Sequence, residues 1–189
     1  MRVIAGSLRG RRLLTPSWDG LRPTSDRLRE TMFNILAPRI EGAGVLDGYA
    51  GTGAIGIEAL SRGAASVTFV DHDRRAHALI ERNLAHCGIV DGYAIIRASM
   101  ARALEMLRER AVTHPSRPFD IILLDPPYES IGDTIEPILV AAGETMAPDG
   151  LLVLEHGRRR QPPDAVGPLH RSRDVTAGDS ALAFYEVRR

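Results

Sequence analysis

The sequence contains no lysine, only one cysteine and one tryptophan, and no net charge. All 24 basic residues are arginine and they balance 24 acidic residues, so the overall charge favours neither a nucleic acid nor a membrane as partner. The lone cysteine, Cys87, excludes an internal disulfide and is typical of a reducing compartment. No apolar run reaches the roughly 18 residues that a membrane helix needs, and the arginine-rich start lacks the apolar stretch of a signal peptide. We therefore expect a cytoplasmic protein whose 189 residues share one core.

The basic residues are unevenly distributed. Residues 1–29 hold seven arginines and only two acids. The arginines are Arg2, Arg9, Arg11, Arg12, Arg22, Arg27 and Arg29, and the acids are Asp19 and Asp26. Such a cluster is either a solvated charged face or a surface for phosphates, and the charge pattern alone leaves both open.

Short apolar runs alternate with amphipathic stretches from about residue 44 onward. The predicted strands cover 45–48, 66–71, 93–98, 119–125 and 151–156, with two more on either side of a turn at 177–180. The predicted helices cover 53–62, 73–86, 99–110 and 131–146. The last two strands are joined by so short a loop that they should be antiparallel. The pattern predicts an α/β, Rossmann-like fold: a seven-stranded doubly wound sheet with one antiparallel strand and a ligand crevice at the carboxyl ends of its strands.

Two further elements precede this alternation. Residues 2–15 contain strand-like runs around a Gly/Arg turn and predict a small hairpin. Residues 24–37 predict a helix that Thr24 or Ser25 would cap. Its apolar stripe, which we expect to pack on the core, consists of Leu28, Met32, Phe33, Ile35 and Leu36. We expect a single domain over 1–189, with 1–38 as a hairpin-plus-helix extension.

The segment GTGAIG at 51–56 is a G-x-G-x-x-G loop, which suits either a dinucleotide or a nucleoside without phosphates. Asp71, twenty residues beyond Gly51, has the spacing of an acid that binds a ribose. Asp47, four residues before Gly51, would repel a pyrophosphate but attract the ammonium of S-adenosylmethionine. A purely structural turn is the simpler alternative, in which Asp71 only caps a helix. We assign the cap to Asp73 and the ligand to Asp71, and keep a nicotinamide enzyme as the less favoured alternative.

The sequence Asp-Pro-Pro-Tyr at 125–128 follows a buried strand and predicts methyl transfer to an exocyclic amine. The carboxylate of Asp125 and the carbonyl of Pro126 can accept both hydrogens of an exocyclic amine. Pro127 stiffens the loop, and Tyr128 can stack on the base. Holding an amine against an activated methyl group can contribute up to roughly 7 to 11 kcal/mol, and no metal is needed. A strand-ending turn is the simpler interpretation of the same letters.

Together these motifs resemble the RsmD family, the 16S ribosomal RNA guanine-N2 methyltransferases of the bacterial small subunit. The resemblance covers nearly the whole chain. It rests on RVIAGSLRGRRL (2–13), RPTSDRLRETMFNIL (22–36), LDGYAGTGAIGIEALSRGA (46–64), VDHD (70–73) and LLDPPY (123–128). It implies S-adenosylmethionine as cofactor and 16S ribosomal RNA or the assembling small subunit as partner, without a metal or a membrane.

The resemblance also implies roles for individual residues. The cofactor's methionine end would bind at Asp47, Gly51 and Gly53, its ribose at Asp71 beside His72, and its adenine between Ser99 and Met100. The target guanine would lie against 125–128, and Thr24 and Arg27 match an N-terminal motif beside the cofactor. Two positions depart from the family pattern. Gly48 replaces a bulkier apolar residue, which predicts a looser first loop, and Ser99 replaces an acid or amide, which predicts backbone contacts to the adenine.

On this interpretation the N-terminal arginines acquire a role. Arg9, Arg11 and Arg12 on the hairpin turn, with Arg22 nearby, would neutralise RNA phosphates without reading sequence. An adenine-N6 methyltransferase remains an alternative, since the motif at 125–128 suits that amine equally well. A non-catalytic RNA-binding assembly protein is the alternative from another class.

Overall fold

The computed structural model describes residues 1–16, 18, 26–113, 117–127 and 135–188. Three predicted functional residues, Arg22, Thr24 and Tyr128, lie outside the described residues. The described helices are α1 (Asp26–Ile40), α2 (Ala54–Ser61), α3 (Arg74–Cys87), α4 (Met100–Thr113) and α5 (Ile135–Gly143). The described strands are β1 (Gly44–Gly48), β2 (Ser66–Asp71), β3 (Tyr93–Arg97), β4 (Phe119–Leu124), β5 (Met146–Gly157), β6 (Ala165–Val166), β7 (Leu169–Ala177) and β8 (Ser180–Val187).

The strands form one sheet in the order β3-β2-β1-β4-β5-β8-β7-β6. The first five strands in this order are parallel, and β8 pairs antiparallel with β5 and with β7. The predicted α/β, doubly wound fold with a reversed strand is therefore confirmed. The described part of the chain holds eight strands where seven were predicted: it adds the edge strand β6, a second reversed strand, whose two residues are too short a run for sequence periodicity to detect.

The sheet is buried on both faces at its centre, which explains why its strands read as continuous apolar runs. Every residue of β1 is buried, as are the last four of β4. Alternate residues serve two hydrophobic clusters, one on each face of the sheet, in place of the one core expected: Val45 and Leu123 face the cluster that includes α1, whereas Leu46 and Ile122 face the cluster that includes α4 and α5. Because a slip of one residue would move every side chain to the opposite face, burial of both faces fixes the register of the strands.

Most element boundaries differ from the sequence prediction by one to three residues, and the start of β5 differs by five. Strand β5 begins at Met146, five residues earlier than predicted. The sequence pattern placed the start later because Pro148 and Gly150 give that stretch the composition of a turn. A register irregularity opposite Phe119 accommodates it. Helix α1 continues to Ile40 with Pro38 in its last turn. Its predicted stripe packs as expected: Leu28, Met32, Phe33 and Leu36 are buried, and Ile35 packs partly buried against them.

The N-terminal residues pair as a small hairpin. Arg2 and Arg12 form an antiparallel bridge, flanked by hydrogen bonds from Val3 N to the Arg11 carbonyl and from Gly10 N to the Val3 carbonyl, both 2.9 Å. The predicted hairpin at 2–15 is present, although its paired stretches are too short to count as strands.

The strand register brings the predicted acids to one edge of the sheet. Asp47 pairs with Leu123 and Gly48 with Leu124, so the end of β1 lies level with the residue that precedes Asp125. Asp71 ends β2, the neighbour of β1 on the other side. The sheet changes direction of connection between β1 and β4, and ligands of such folds bind in the crevice at that point.

Candidate active site

The glycine loop turns sharply between β1 and α2. Gly51 and Gly53 are buried at φ values of 54° and 75°, a left-handed conformation that side-chain-bearing residues avoid. Gly53 is the N-cap of α2. At Gly56, a Cβ atom would lie 2.2 Å from the ring of Phe69, so the third glycine allows close packing of α2 on β2. The three glycines thus allow the tight turn and the close packing of α2 on β2, whereas the contact of Gly51 and Gly53 with a cofactor stays a prediction.

Tyr49 is the one non-glycine residue with positive φ (61°) among the described residues, and the sequence analysis did not single it out. A left-handed tyrosine carries backbone strain, and such strain concentrates at functional sites. Partial burial raises the pKa of its hydroxyl. Tyr49 directly follows β1, at the start of the glycine loop, and no local sequence signal marks it.

Asp71 holds the glycine loop and the start of α3 at once. One carboxylate oxygen accepts a hydrogen bond from Gly51 N at 2.8 Å, and the other accepts from Asp73 N at 2.9 Å. The side chain of the following residue, His72, is 77% exposed, and its Nδ1 lies 3.7 Å from the Asp71 carboxylate. Asp73 caps α3 by accepting from Arg75 N at 2.7 Å, which confirms the capping role predicted for it.

Asp47 is 1% exposed beneath the glycine loop. Its carboxylate accepts a hydrogen bond from Gly56 N at 2.8 Å, in the first turn of α2. Burial raises its pKa well above the usual 3.8, against the lowering effect of the Gly56 hydrogen bond, and the negative charges of Asp125 and Asp71 raise it further. An ionised Asp47 is therefore costly unless a cation is bound near it.

The loop after β4 lies against the end of β1. Asp125 N donates to the Gly48 carbonyl at 3.3 Å, which continues the β1–β4 pairing by one bond. Asp125 is half-buried, Pro126 is buried and Pro127 is exposed, so the chain reaches the surface within three residues of the end of β4. Tyr128 lies outside the described residues, and its role stays a prediction.

The space above Gly48 is filled by its neighbours. A Cβ atom there would lie 2.6 Å from a methyl group of Leu124 and 2.8 Å from the sulfur of Met100. The predicted looseness of the first loop is wrong, because these two buried side chains occupy the volume of the missing one. Ser99 is exposed, and its hydroxyl accepts from Arg102 N at 3.3 Å. Ser99 thus caps α4, while Met100 forms part of the wall beside the loop.

The N-terminal arginines divide into exposed and buried. Arg9, Arg11 and Arg12 are exposed on the hairpin, and Arg27 is exposed in the first turn of α1. Arg29 is fully buried, and its guanidinium donates to the Arg2 carbonyl at 2.7 Å and to Asp26 at 2.8 Å. Arg29 therefore holds the hairpin in place and does not contribute to its charged surface.

Polar side chains on α2 form hydrogen bonds with the backbone of the hairpin. The buried carboxylate of Glu58 accepts from Ile4 N at 2.7 Å and from Ala5 N at 3.0 Å. Ser61 accepts from Leu8 N at 3.0 Å through its hydroxyl, which donates to the Ala5 carbonyl at 2.6 Å. These residues were missed by sequence reasoning, although a glutamate and a serine on the apolar face of a short helix are a usable signal.

The described residues hold no group of three or more His, Cys, Asp or Glu side chains placed to bind a metal. No helix among them is long and apolar enough to cross a membrane.

Comparison with known proteins extends over nearly the whole chain. Residues 1–186 match the family described as Conserved hypothetical protein 95. The Bacillus subtilis protein named "Putative rRNA methyltransferase YlbH" is 36% identical over 188 residues, which is 100% of both chains. Ribosomal RNA small subunit methyltransferase D of Escherichia coli K12 is 35% identical over 188 residues, covering 98% of this chain and 89% of its own. The structure named "Putative methyltransferase yhhF", also from Escherichia coli, superimposes with a TM-score of 0.81 at 33% identity, covering 100% and 99% of the two chains.

Proposed function

The chain belongs to the Conserved hypothetical protein 95 family, the RsmD family, and from that premise we propose that it transfers a methyl group from S-adenosylmethionine to the exocyclic N2 amine of a guanine in 16S ribosomal RNA. The fold is that of the class I methyltransferases. We further propose that residues 1–189 form one methyltransferase domain, with 1–38 as an extension that contacts RNA.

The observation that carries the proposal is the buried acid beneath the glycine loop. Asp47 is enclosed, its pKa is raised by burial, and the neighbouring charges that act on it are those of two further carboxylates. A pyrophosphate would add more negative charge at this point, whereas an ammonium or sulfonium would relieve the repulsion. This charge arrangement fits S-adenosylmethionine and disfavours the nicotinamide alternative.

The remaining cofactor contacts would come from residues at and just beyond the carboxyl ends of the parallel strands. Asp71 would accept from the ribose hydroxyls, with His72 beside it, and the backbone at Gly51 and Gly53 would lie against the methionine end. Ser99 and Met100, at the start of α4, would border the adenine. Arg27 and Thr24 would approach from the extension. When bound, the cofactor supplies an electrophilic methyl group on its sulfonium.

The chain's own residues position the amine. The carboxylate of Asp125 and the carbonyl of Pro126 would each accept one hydrogen of the guanine N2 amine, which orients the nitrogen lone pair toward the methyl group. Pro127 has no N–H to donate and keeps the loop stiff, and Tyr128 would stack on the base. Asp125 need not remove a proton before transfer, because the product loses one readily afterwards.

The RNA would dock on the hairpin. Arg9, Arg11 and Arg12 are exposed there, and arginine suits phosphate oxygens. Arg22, which lies outside the described residues, would bind phosphate as well. The partner is thus 16S ribosomal RNA or the assembling small subunit, and such a substrate places the protein in the cytoplasm.

Mass spectrometry of ribosomal RNA nucleosides from a deletion strain tests the proposal. We expect N2-methylguanosine in 16S RNA to decrease, to return when the gene is restored, and to stay low when the restored gene carries Asp125→Ala. A decrease in N6-methyladenosine instead would favour the adenine alternative. Unchanged methylation together with a small-subunit assembly defect would favour the non-catalytic alternative.

A further inference from the structure

Helix α3 carries a fully buried polar side chain that the proposed chemistry does not use. Asn83 is 0% exposed and lies on the same helical face as Leu79, Ile80, Leu84 and Cys87, all of them buried. Asparagine is a poor helix former, and a buried amide is costly unless its hydrogen bonds are satisfied. Its presence at a core position therefore requires a specific set of partners.

Those partners come from two distant parts of the chain. The Asn83 side-chain oxygen accepts from Leu14 N at 2.7 Å, and its amide nitrogen donates to the Leu14 carbonyl at 3.1 Å and to the Thr52 carbonyl at 2.9 Å. Reversing the amide would point its oxygen at two carbonyls and its NH₂ at an N–H. Only one orientation therefore fits, and in it both amide hydrogens have acceptors.

One of these partners belongs to the cofactor loop. Thr52 lies between Gly51 and Gly53, and its hydroxyl is also in contact with the sulfur of Met1 at 3.9 Å. The other partner, Leu14, ends the hairpin that carries the exposed arginines. The glycine loop and the hairpin thus meet at two independent points, through Asn83 and through Met1.

The chain beyond Leu14 remains close to the crevice. The ring of Trp18 lies 5.1 Å from the guanidinium carbon of Arg75. Arg75 is paired with Asp73, whose N–H donates to Asp71. Four residues after its bond to Asn83, the N-terminal segment therefore lies beside the end of β2 where the ribose would bind.

We infer that Asn83 is a positioning residue that couples the cofactor loop to the N-terminal hairpin, so that a ligand which fixes the loop also fixes the hairpin on the sheet domain. The Asn83 amide hydrogen-bonds to both Thr52 and Leu14. A shift of the Thr52 carbonyl would therefore break or reorient the hydrogen bonds between Asn83 and Leu14. Coupling of this kind is reciprocal: cofactor occupancy strengthens RNA docking on the hairpin, and RNA docking strengthens cofactor binding. The RNA half of this inference rests on the proposed function, whereas the coupling between loop and hairpin does not.

The coupling is tested first in the unaltered protein by NMR measurement of amide hydrogen exchange, with and without saturating S-adenosylhomocysteine. We expect exchange at the Leu14 amide to slow by at least about fivefold with the ligand, the lower end of common coupling strengths. The Leu8 amide, which Ser61 holds without contact to the glycine loop, should change much less. Equal exchange at Leu14 with and without ligand would overturn the inference.

Two variants then distinguish coupling between the cofactor loop and the hairpin from mere attachment of the hairpin to α2. Asn83→Ala removes the shared amide, and Ser61→Ala removes hairpin hydrogen bonds that do not reach the loop. The measurement is the affinity for a 16S ribosomal RNA transcript with and without S-adenosylhomocysteine. We expect the parent and Ser61→Ala to bind RNA severalfold more tightly when the ligand is present, and Asn83→Ala to show a ratio near one.

The outcomes remain distinguishable from failure of the proposed function. A ligand-dependent ratio that persists in Asn83→Ala would overturn the coupling even if guanine methylation is observed. Absence of methylation or of RNA binding would overturn the proposed function, while ligand-dependent protection of Leu14 would still support the coupling. If Asn83→Ala does not fold, the exchange measurement on the parent decides.

Discussion

The carboxylate of Asp71 and the backbone N–H of Gly51 are 2.8 Å apart, so the end of β2 directly holds the glycine loop. A carboxylate offers about four acceptor positions, and the N–H groups of Gly51 and Asp73 occupy two of them. Counting donors from the described residues only, two positions remain that would accept from ribose hydroxyls. The acid identified by its spacing thus shapes the loop in addition to its proposed contact with the ligand.

Asp47→Asn should separate stability from cofactor binding. The pKa of Asp47 is raised in the folded protein, mainly by burial, so the folded state keeps the proton that the unfolded state releases near 3.8. Stability therefore falls as pH rises from about that value through the raised pKa. The variant should lack this fall and melt at a higher temperature than the parent at pH 7, measured by thermal unfolding across pH.

The same variant should bind S-adenosylhomocysteine roughly 10- to 100-fold more weakly, the usual cost of losing one hydrogen bond to a charged partner. Asp120→Asn is the control, since Asp120 also accepts a backbone N–H, from Gly44 at 2.7 Å, but at the opposite end of β1 from Asp47. Its cofactor affinity should stay at the parent value. Unaltered affinity in Asp47→Asn would remove Asp47 from the cofactor site.

The fold was predictable because its signals are local and repeated. Buried strands of parallel sheets are continuous apolar runs, and glycines at 51, 53 and 56 mark a strand-to-helix turn whatever surrounds them. The predicted limits of β2 agree with the structure at both ends. The edge strand β6 was missed because its two residues are too few for a periodic pattern, and the early start of β5 was missed because Pro148 and Gly150 resemble a turn.

The site was only partly predictable because several of its constraints are tertiary. The spacing of Asp47 and Asp71 from the glycines follows from the strand-turn-helix unit. The filling of the space at Gly48 depends on Leu124 and Met100, which approach from another strand and a helix, and the left-handed conformation of Tyr49 has no local sequence signal. Asn83 is intermediate: a polar residue in an apolar stripe is visible in the sequence, but its partners are 31 and 69 residues away.

Gly6→Ala should detach the hairpin. Gly6 has φ 82°, and a Cβ atom there would lie 1.8 Å from the Ser61 carbonyl oxygen, which is backbone and cannot rotate away. Gly10→Ala is the matched control, because Gly10 has nearly the same φ, 84°, but no atom within 4 Å of the added Cβ. Both variants incur about 1 to 2 kcal/mol of left-handed strain. Gly6→Ala alone adds the collision, so it should unfold at a clearly lower denaturant concentration and bind RNA more weakly than Gly10→Ala. Equal unfolding midpoints would mean that the hairpin does not need this close approach.

Asp125→Ala should impair chemistry more than binding. As an acceptor for the amine, Asp125 would contribute to the transition state, and loss of such a positioned group commonly costs about a hundredfold or more in kcat. Cofactor affinity should remain within severalfold, measured by calorimetry beside single-turnover methylation of RNA. Asp125→Asn, which keeps one acceptor oxygen and the shape of the side chain, should lose less activity than Asp125→Ala. Surviving methylation with a collapse of cofactor binding would show that the roles assigned to the ends of β1 and β4 are wrong.

Arg11→Ala combined with Arg12→Ala should weaken RNA binding without affecting the cofactor. Both side chains are exposed on the hairpin, and removal of each arginine–phosphate interaction should flatten the slope of log K against log salt by roughly 0.7 to 0.9. The control is Arg158→Ala combined with Arg159→Ala, which removes the same charge from an exposed turn after β5. RNA affinity is measured at several salt concentrations for all three proteins, with S-adenosylhomocysteine titrated alongside. We expect a flatter slope only for the hairpin variant and equal cofactor affinity in all three. A flatter slope in the control and not in the hairpin variant would move the RNA surface to the turn after β5, because the salt slope reflects neutralised phosphates wherever they lie on the protein.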